Sequence, residues 1–239
     1  MSQTKPSVGP TLEGRMRVAS TGHYEPIVRE GYPYILIPAL LGTASWWTDS
    51  PWTALLFFVA TVSCALFFRN PERSSTMRDD LVVAPADGTV MEIVEQAYSP
   101  NLDSPTLTRV SIFMSIFNVH VNRSPISAQV KKITYYSGGF LDARDNACSE
   151  WNERNSVVLG AGEDSIEVVQ VAGRIARRIS CWVHEGDGLR QGDRFGVIHF
   201  GSRLDVYLPP SFRTKVLPGT PVKAGLSIIA ERVEPAAGA

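Results

Sequence analysis

An almost uninterrupted apolar stretch constrains the fold of this chain more than any other feature of its sequence. Residues 32–68 carry a single charged side chain, Asp49, and the stretch divides at the turn-forming segment WWTDSPW. Its two halves have about 15 and about 17 residues, slightly fewer than the roughly 20 that one helix needs to cross a bilayer. The pattern therefore predicts two short apolar helices joined by a turn, which together form a hairpin.

The sequence around this hairpin indicates a position at the cytoplasmic face of the cell membrane. Arg29 precedes the first half, and Arg69 and Arg73 follow the second. Positive side chains favour the cytoplasmic side, and the three tryptophans grouped at the turn suit the interfacial belt where aromatic rings accumulate. A hairpin buried in a soluble core is the alternative. The length of the helices leaves open whether the hairpin spans the bilayer or only dips into it.

The rest of the chain has the pattern of a mainly β domain. From Leu81 onward it consists of short runs rich in β-branched residues, bounded by glycine, proline, aspartate and asparagine. Many short strands at close spacing favour a β-sandwich or barrel-sandwich-like fold. We therefore expect a mainly β protein with three regions: a polar N-terminal segment (1–26), a membrane-associated apolar α-helical hairpin (27–73) and a β-rich domain (74–239).

Composition and spacing argue against several classes of function. The formal net charge of the 239 residues is −1, so the sequence offers no basic field for a nucleic acid. Cys64, Cys148 and Cys181 have no metal or redox spacing, which is typical of a reduced, cytosol-facing protein. No set of His, Cys, Asp and Glu has the spacing of metal ligands, and no glycine-rich loop has the pattern that cradles a phosphate.

A glycine–serine pair interrupts a well-patterned strand near the C terminus, in the segment HFGSRLDVYLP. Glycine inside a strand permits a kink and leaves the carbonyl of Gly201 unshielded. In such a turn the hydroxyl of Ser202 can attack that carbonyl and replace the peptide by an ester, after which elimination and hydrolysis leave a pyruvoyl group. The pair alone is a weak signal, because most Gly-Ser pairs lie in ordinary loops.

Four segments give this pair a context. RFGVIHFGSRLDVYLP closely resembles the cleavage segment of phosphatidylserine decarboxylases in their short, bacterial and archaeal form. APADGTV, FMSIFNVHVNRSP and WNERN resemble three further segments of that family, in the same order along the chain. The apolar hairpin followed by FFRNPER also resembles the short form, so the resemblance covers roughly residues 27–230.

The resemblance implies roles for individual residues. Ser202 becomes a covalent pyruvoyl cofactor when the bond after Gly201 is cut, which leaves a β chain of residues 1–201 and an α chain of residues 202–239. Asp87, in the APADGTV segment, matches the acidic member of the self-processing machinery.

The histidine segment carries both a match and a departure. His120 matches a histidine that serves decarboxylation in the longer relatives, and alternation places it with Asn118 on the polar face of a strand. Those relatives use a second histidine in self-cleavage, but Arg123 occupies its place here. The base that activates Ser202 therefore stays open: either His120 serves both steps, or strain in the turn does more of the work.

Three polar residues are candidates for binding the substrate. Asn118 is one, and the other two are Arg154 and Arg203, which can face a phosphate or a carboxylate, with solvation at the surface as the alternative. We expect His184 and His199 to be exposed at the ends of strands.

The resemblance implies that the protein converts phosphatidylserine into phosphatidylethanolamine and carbon dioxide, through a Schiff base between the substrate amine and the pyruvoyl group. The hairpin suits this partner, because a lipid with two acyl chains stays in the bilayer. Two alternatives stay open: a pyruvoyl decarboxylase of a small soluble amino acid, and a non-enzymatic, membrane-anchored barrel-sandwich adaptor. The sequence also leaves the oligomeric state open, a homo-oligomer included.

Overall fold

The computed structural model describes most of the hairpin and of the β-rich domain. The described residues are 17–18, 24–75, 77–102, 104, 106–139, 151–162, 164–173, 178–199 and 202–233, the first pair by its backbone alone. Gly201 and nearly all of the predicted polar segment at residues 1–26 lie outside this set. The fold is mainly β with an N-terminal apolar helical hairpin, as the sequence predicts.

Two helices form the hairpin. After a 3-10 turn at Arg29–Gly31, α1 spans Tyr32–Trp47 and α2 spans Pro51–Phe67. A proline stands in the first turn of each helix, where its missing N–H costs no hydrogen bond. Asp49 adopts the left-handed backbone conformation between the helices, with φ of 54°. The predicted hairpin and its turn are confirmed.

The apolar surface of the hairpin is not covered by the described part of the β domain. No residue of α1 is buried, and only Ala54 and Phe67 are buried in α2. At the tip, Trp47 and Trp52 are each 82% exposed. Within the described part of the chain the hairpin is therefore not buried, which argues against the alternative of a hairpin in a soluble core. Neither of these two helices has the length and hydropathy needed to cross a membrane.

Fifteen strands are present in the described part of the chain. They are β1 Arg17–Val18, β2 Leu81–Val83, β3 Gly88–Ala97, β4 Leu107–Met114, β5 Val121–Arg123, β6 Ala128–Tyr136, β7 Arg154–Ala161, β8 Asp164–Ala172, β9 Ile179–Cys181, β10 Asp187–Leu189, β11 Arg194–Ile198, β12 Ser202–Leu208, β13 Phe212–Thr214, β14 Pro221–Val222 and β15 Ile228–Arg232. Nine form one sheet in the order β1-β10-β6-β7-β8-β12-β4-β3-β14. Two three-stranded sheets, β5-β11-β9 and β13-β15-β2, complete the described domain.

The strand β12 lies inside the large sheet and contributes to the main core. It pairs antiparallel with β4 on one side and with β8 on the other. Leu204, Val206 and Leu208 lie on one face and pack in the main hydrophobic core. Arg203 and Asp205 lie on the other face and are buried as well. Because both faces are covered, every residue of β12 is buried.

A glycine is required where β3 meets β4. A Cβ atom placed on Gly88 would lie 2.0 Å from the carbonyl oxygen of Phe113 and 2.9 Å from its carbonyl carbon. Glycine in a strand commonly marks such a close approach of two backbones. Gly88 thereby sets the position of Asp87, which precedes it in the chain.

We expect Gly88→Ala to destabilise the fold, because the added methyl group must push two strand backbones apart. The expected loss is about 2 kcal/mol in the free energy of unfolding, measured in urea. Gly139→Ala is the matched control, since a Cβ there would meet its nearest neighbour, the Trp151 carbonyl oxygen, at 3.6 Å. Equal stabilities of the two variants would contradict this account of Gly88.

Candidate active site

Ser202 occupies the first position of β12. It pairs with Met114 of β4 and with Ala172 of β8, and it is fully buried. Its Oγ atom has no hydrogen-bond partner among the described residues. A buried hydroxyl without a partner costs about 1–3 kcal/mol, so its presence here calls for a functional reason.

His120 approaches the same end of the sheet from β4. The chain leaves β4 at Met114, the residue paired with Ser202, and reaches His120 after one turn. The carbonyl oxygen of His120 accepts a hydrogen bond from the N–H of Ile198 at 3.4 Å. Its buried ring packs against Phe67, with 4.1 Å between the ring centres.

The turn before His120 replaces a strand that the sequence predicts. Alternation indicates a continuous strand around this residue, but that prediction is wrong: the chain turns at residues 115–118, and β5 begins only at Val121. Asn118, a predicted substrate-binding residue, closes the turn. Its Oδ1 accepts hydrogen bonds from the backbone N–H and the hydroxyl of Ser115, at 2.8 and 2.7 Å.

Burial and hydrogen bonding fix the chemical state of His120. Nδ1 lies 3.0 Å from the Asn118 carbonyl oxygen, which can only accept, so Nδ1 carries the hydrogen and Nε2 keeps its lone pair. Nε2 has no partner among the described residues. Burial lowers the pKa of His120 to about 4, helped by the positive charge of Arg69 and opposed by the Asn118 carbonyl. The imidazole is therefore neutral at pH 7 and able to accept a proton.

His199 is a second buried imidazole near this site, and the prediction that it is exposed is wrong. Only 2% of the residue is accessible. Its Nε2 lies 3.5 Å from the hydroxyl of Ser180, and its Nδ1 has no partner among the described residues. Burial, and then the charge of Arg178, lowers its pKa. The apolar residues of β11, which directly precedes His199, could have indicated this burial, because that strand is buried on both faces.

Aromatic side chains at the base of the hairpin connect the two histidines. Phe67 packs on His120 and, at 4.9 Å between ring centres, on Phe68. Phe68 in turn contacts His199 at 5.5 Å and stacks on Tyr34 at 5.4 Å. Phe67 and Phe68 belong to a small hydrophobic core, separate from the main one, that also contains Val28, Val119 and Val121. The base of the hairpin thus forms one wall of the candidate site.

Asp87 is buried and held by Arg73. The guanidinium donates two hydrogen bonds to its carboxylate, at 2.5 and 2.9 Å, and the Ala224 N–H donates another at 2.8 Å. The negative charge of Asp87 favours the protonated form of His120, although burial outweighs it. Asp87 therefore anchors the segment after the hairpin and acts on His120 through its charge.

Arg123 holds the same segment in place. Its guanidinium donates hydrogen bonds to the carbonyl oxygens of Gly192 and Pro71, at 2.9 and 2.8 Å. Burial lowers its pKa to about 10, with further lowering by the charges of Arg194 and Arg73. Arg123 is thus still a cation at neutral pH, and its position gives it a structural role where the longer relatives have a histidine.

The two predicted anion-binding arginines lie on the face of the sheet opposite Ser202. The register of β7, β8 and β12 places Arg154 and Arg203 on one face and Ser202 on the other. The fully buried guanidinium of Arg203 binds Glu92 and Asp205, each at 2.7 Å. That of Arg154 lies 4.3 Å from the centre of a tyrosine ring of β6. The side chain of Arg203 is therefore neither at the surface nor on the face of the sheet where the side chain of Ser202 lies.

A chain of buried amides lies on the same face of the sheet as Ser202. The side chain of Gln170 donates to Asn122 at 2.8 Å and accepts from Asn155 at 3.0 Å. The amide of Asn122 also lies 3.8 Å from the sulfur of Met114. These contacts tie β5 to the large sheet. In the described part of the chain, no His, Cys, Asp and Glu side chains form a group that could hold a metal ion.

A family model described as phosphatidylserine decarboxylase matches residues 61–230 of this chain. The matched region begins within α2 and ends within β15. It therefore includes Ser202, His120 and Asp87, together with Phe67 and Phe68 at the base of the hairpin.

We expect Arg123→His to destabilise the protein and not to speed the self-cleavage that the family resemblance implies. Two carbonyl oxygens lose a charged donor, which should cost about 2–3 kcal/mol in the free energy of unfolding. Urea unfolding measures the loss in a Ser202→Ala background, because the implied cleavage would otherwise divide the chain. Arg190→His, which changes an exposed arginine, is the control. A faster appearance of the α chain in Arg123→His alone would contradict a structural role.

The lowered pKa of His120 predicts acid sensitivity with a defined sign. The unfolded chain takes up this proton near pH 6.5, but the folded protein only near pH 4. Stability is therefore complete above about pH 6.5 and is lost as the pH falls towards 4. In the Ser202→Ala variant, the protonation of His120 should lower the free energy of unfolding by about 2 kcal/mol between pH 7 and pH 5. The double variant with His120→Gln should lose less, and an equal loss would refute the assignment.

Proposed function

Because the chain belongs to the phosphatidylserine decarboxylase family, we propose that it makes a pyruvoyl group from Ser202 and uses it to convert phosphatidylserine into phosphatidylethanolamine and carbon dioxide. The observation that carries the proposal is the Oγ atom of Ser202, buried without a hydrogen-bond partner among the described residues. Because no described residue forms a hydrogen bond with this hydroxyl, no such bond has to break before the hydroxyl reacts with the preceding carbonyl group.

In the proposed self-processing, Ser202 gives its hydroxyl proton to Nε2 of His120 and attacks the carbonyl carbon of residue 201. The peptide C–N bond breaks, the nitrogen takes up a proton, and an ester takes the place of the peptide. Removal of the α-proton of Ser202 expels the carboxylate of residue 201, which cuts the chain and leaves dehydroalanine. Its imine tautomer reacts with water to give a ketone and ammonia, so the step needs no external oxidant. Neutral His120 suits the first transfer, because a base must hold a free lone pair.

The strand pairing supports a stable two-chain product. The proposed α chain, residues 202–239, begins with β12, which pairs with β4 and β8 of the proposed β chain, residues 1–201. Two more of its strands pair across the cut, β14 with β3 and β15 with β2. We infer that the two chains stay together after cleavage without a covalent link.

A pyruvoyl group at residue 202 would supply a ketone able to bind the amine of the substrate and to take up the electron pair that departing carbon dioxide leaves on the α-carbon. Ala172 and Met114, the paired neighbours of this position, are buried and help to exclude water. His120 holds a proton for the substrate α-carbon in this step. The anionic headgroup of the lipid, when it lies beside the imidazole ring of His120, would favour the protonated imidazolium.

The exposed hairpin supports a lipid substrate over a small soluble amino acid. α1 and α2 are about 24 and 26 Å long, and their apolar side chains are largely uncovered. Burial of this surface in a bilayer is favourable, and the base of the hairpin packs on His120. We infer that the protein lies at the cytoplasmic face of the cell membrane, with its site at the level of the headgroups.

Ser202→Ala tests the proposed function. The variant lacks the attacking hydroxyl, so it should remain one chain of 239 residues and release no carbon dioxide from phosphatidylserine vesicles. Wild-type protein should give two chains in mass spectrometry, the smaller of which has no free α-amino group and is trapped by an amine and borohydride.

Ser211→Ala is the matched control, because it removes a hydroxyl beyond the other end of β12, where the hydroxyl binds Asp164. It should cleave and decarboxylate as the wild type does. A wild-type chain that stays uncut and is fully active would overturn the pyruvoyl proposal.

A further inference from the structure

A groove opens at the base of the hairpin, between the end of α2 and the turn at residues 115–118. Its volume is about 480 Å³, and its walls are mostly apolar. The lining includes Cys64, Leu66, Phe67, Arg69, Ile116 and Phe117. The two turn residues are half or more exposed, and Phe117 is 80% exposed. The turn therefore extends the apolar surface of the hairpin at this point.

Arg69 places a positive charge in this apolar groove. Its guanidinium donates hydrogen bonds to two backbone carbonyl oxygens, that of Leu66 and, at 2.7 Å, that of Phe117. Among the described residues no carboxylate forms a salt bridge with it. Arg73, Arg194 and Arg203, by contrast, each bind a carboxylate. A guanidinium has five N–H donors, so two carbonyls leave it able to bind an anion.

The groove borders the candidate active site. Phe67 lines the groove and packs on His120, with 4.1 Å between the ring centres. This ring is therefore a wall that the groove and the site share. The groove thus combines an apolar wall next to the exposed hairpin, a cation that no described carboxylate pairs with, and a side chain shared with the site.

We propose that this groove seats the headgroup end of a membrane phospholipid, with Arg69 binding the phosphodiester and Leu66, Ile116 and Phe117 contacting the first acyl carbons. Arginine suits this anion, because its planar fork matches two phosphate oxygens. This inference rests on the proposed function and adds a residue that positions the substrate. Asn118, Arg154 and Arg203, the candidates from the sequence, are all engaged elsewhere.

Arg69→Gln tests the assignment in processed enzyme, with phosphatidylserine presented in micelles of a neutral detergent. Self-cleavage should proceed, and KM should rise about tenfold or more with kcat little changed, because a charge-assisted contact to the headgroup is lost. Arg29→Gln is the control: it removes a positive charge that precedes α1 at the base of the hairpin and that pairs with Glu25. An unchanged KM in Arg69→Gln, or an equal rise in Arg29→Gln, would overturn the proposal.

Phe117→Asp provides a second test that leaves the buried core intact, since Phe117 is exposed. The new carboxylate neutralises Arg69 and repels the lipid, so KM should rise while self-cleavage continues. An unchanged KM in this variant would also overturn the proposal.

A binding measurement separates this inference from the proposed function. Uncut Ser202→Ala protein is sedimented with vesicles that contain phosphatidylserine, with and without Arg69→Gln or Arg29→Gln. Arg69→Gln should weaken binding more than Arg29→Gln does, whether or not the wild type releases carbon dioxide. Equal binding of these two variants counts against the groove, and a wild type without decarboxylation counts against the proposed function alone.

Discussion

Three arginines, two of them buried, fix the segment that joins the hairpin to the β domain, and the geometry of the candidate site depends on them. Arg73 binds the carboxylate of Asp87 in the β domain, Arg123 binds the carbonyl of Pro71, and Arg194 binds the side chain of Asn70. Breaking a buried ion pair such as that of Arg73 with Asp87 costs about 3–5 kcal/mol. Since this segment directly follows the aromatic base of the hairpin, the same contacts hold the rings that pack on the two histidines.

The position of Ser202 reconciles the proposed self-cleavage with a stable sheet. A cut in the middle of an interior strand would remove ladder hydrogen bonds on both sides. Ser202 is the first residue of β12, so a cut before it leaves the pairings with β4 and β8 intact. The main core also draws residues from both proposed chains, including Ile112 and Val168 on one side of the cut and Val206 on the other. Burial of this shared surface would keep the two proposed chains together.

The sequence predicted the hairpin and the β domain because those features depend on local composition. An apolar stretch broken by one turn has few alternatives, and β-branched runs between turn residues indicate strands. Ser202, His120 and Asp87 became candidates through resemblance, not through spacing.

The predictions failed where burial depends on distant parts of the chain. Alternation assigns residues to two faces of a strand, but it does not tell whether both faces are covered. His199 and Arg203 were expected at the surface or beside the substrate, and both are buried because β11 and β12 are covered on both sides. The network that holds Arg203 joins Glu92 on β3 and Asp205 on its own strand, and only the folded sheet brings those strands together.

Burial also explains how one histidine can serve both proposed steps. In the free protein, burial and the charge of Arg69 keep His120 neutral, which suits a base that takes the proton of Ser202. A phosphodiester bound at Arg69 would offset that positive charge and add a negative one near the ring, which favours the imidazolium. The proton acceptor of self-processing then becomes the proton donor of decarboxylation. On this account a second histidine is not required, and Arg123 is free to hold the segment that positions the hairpin.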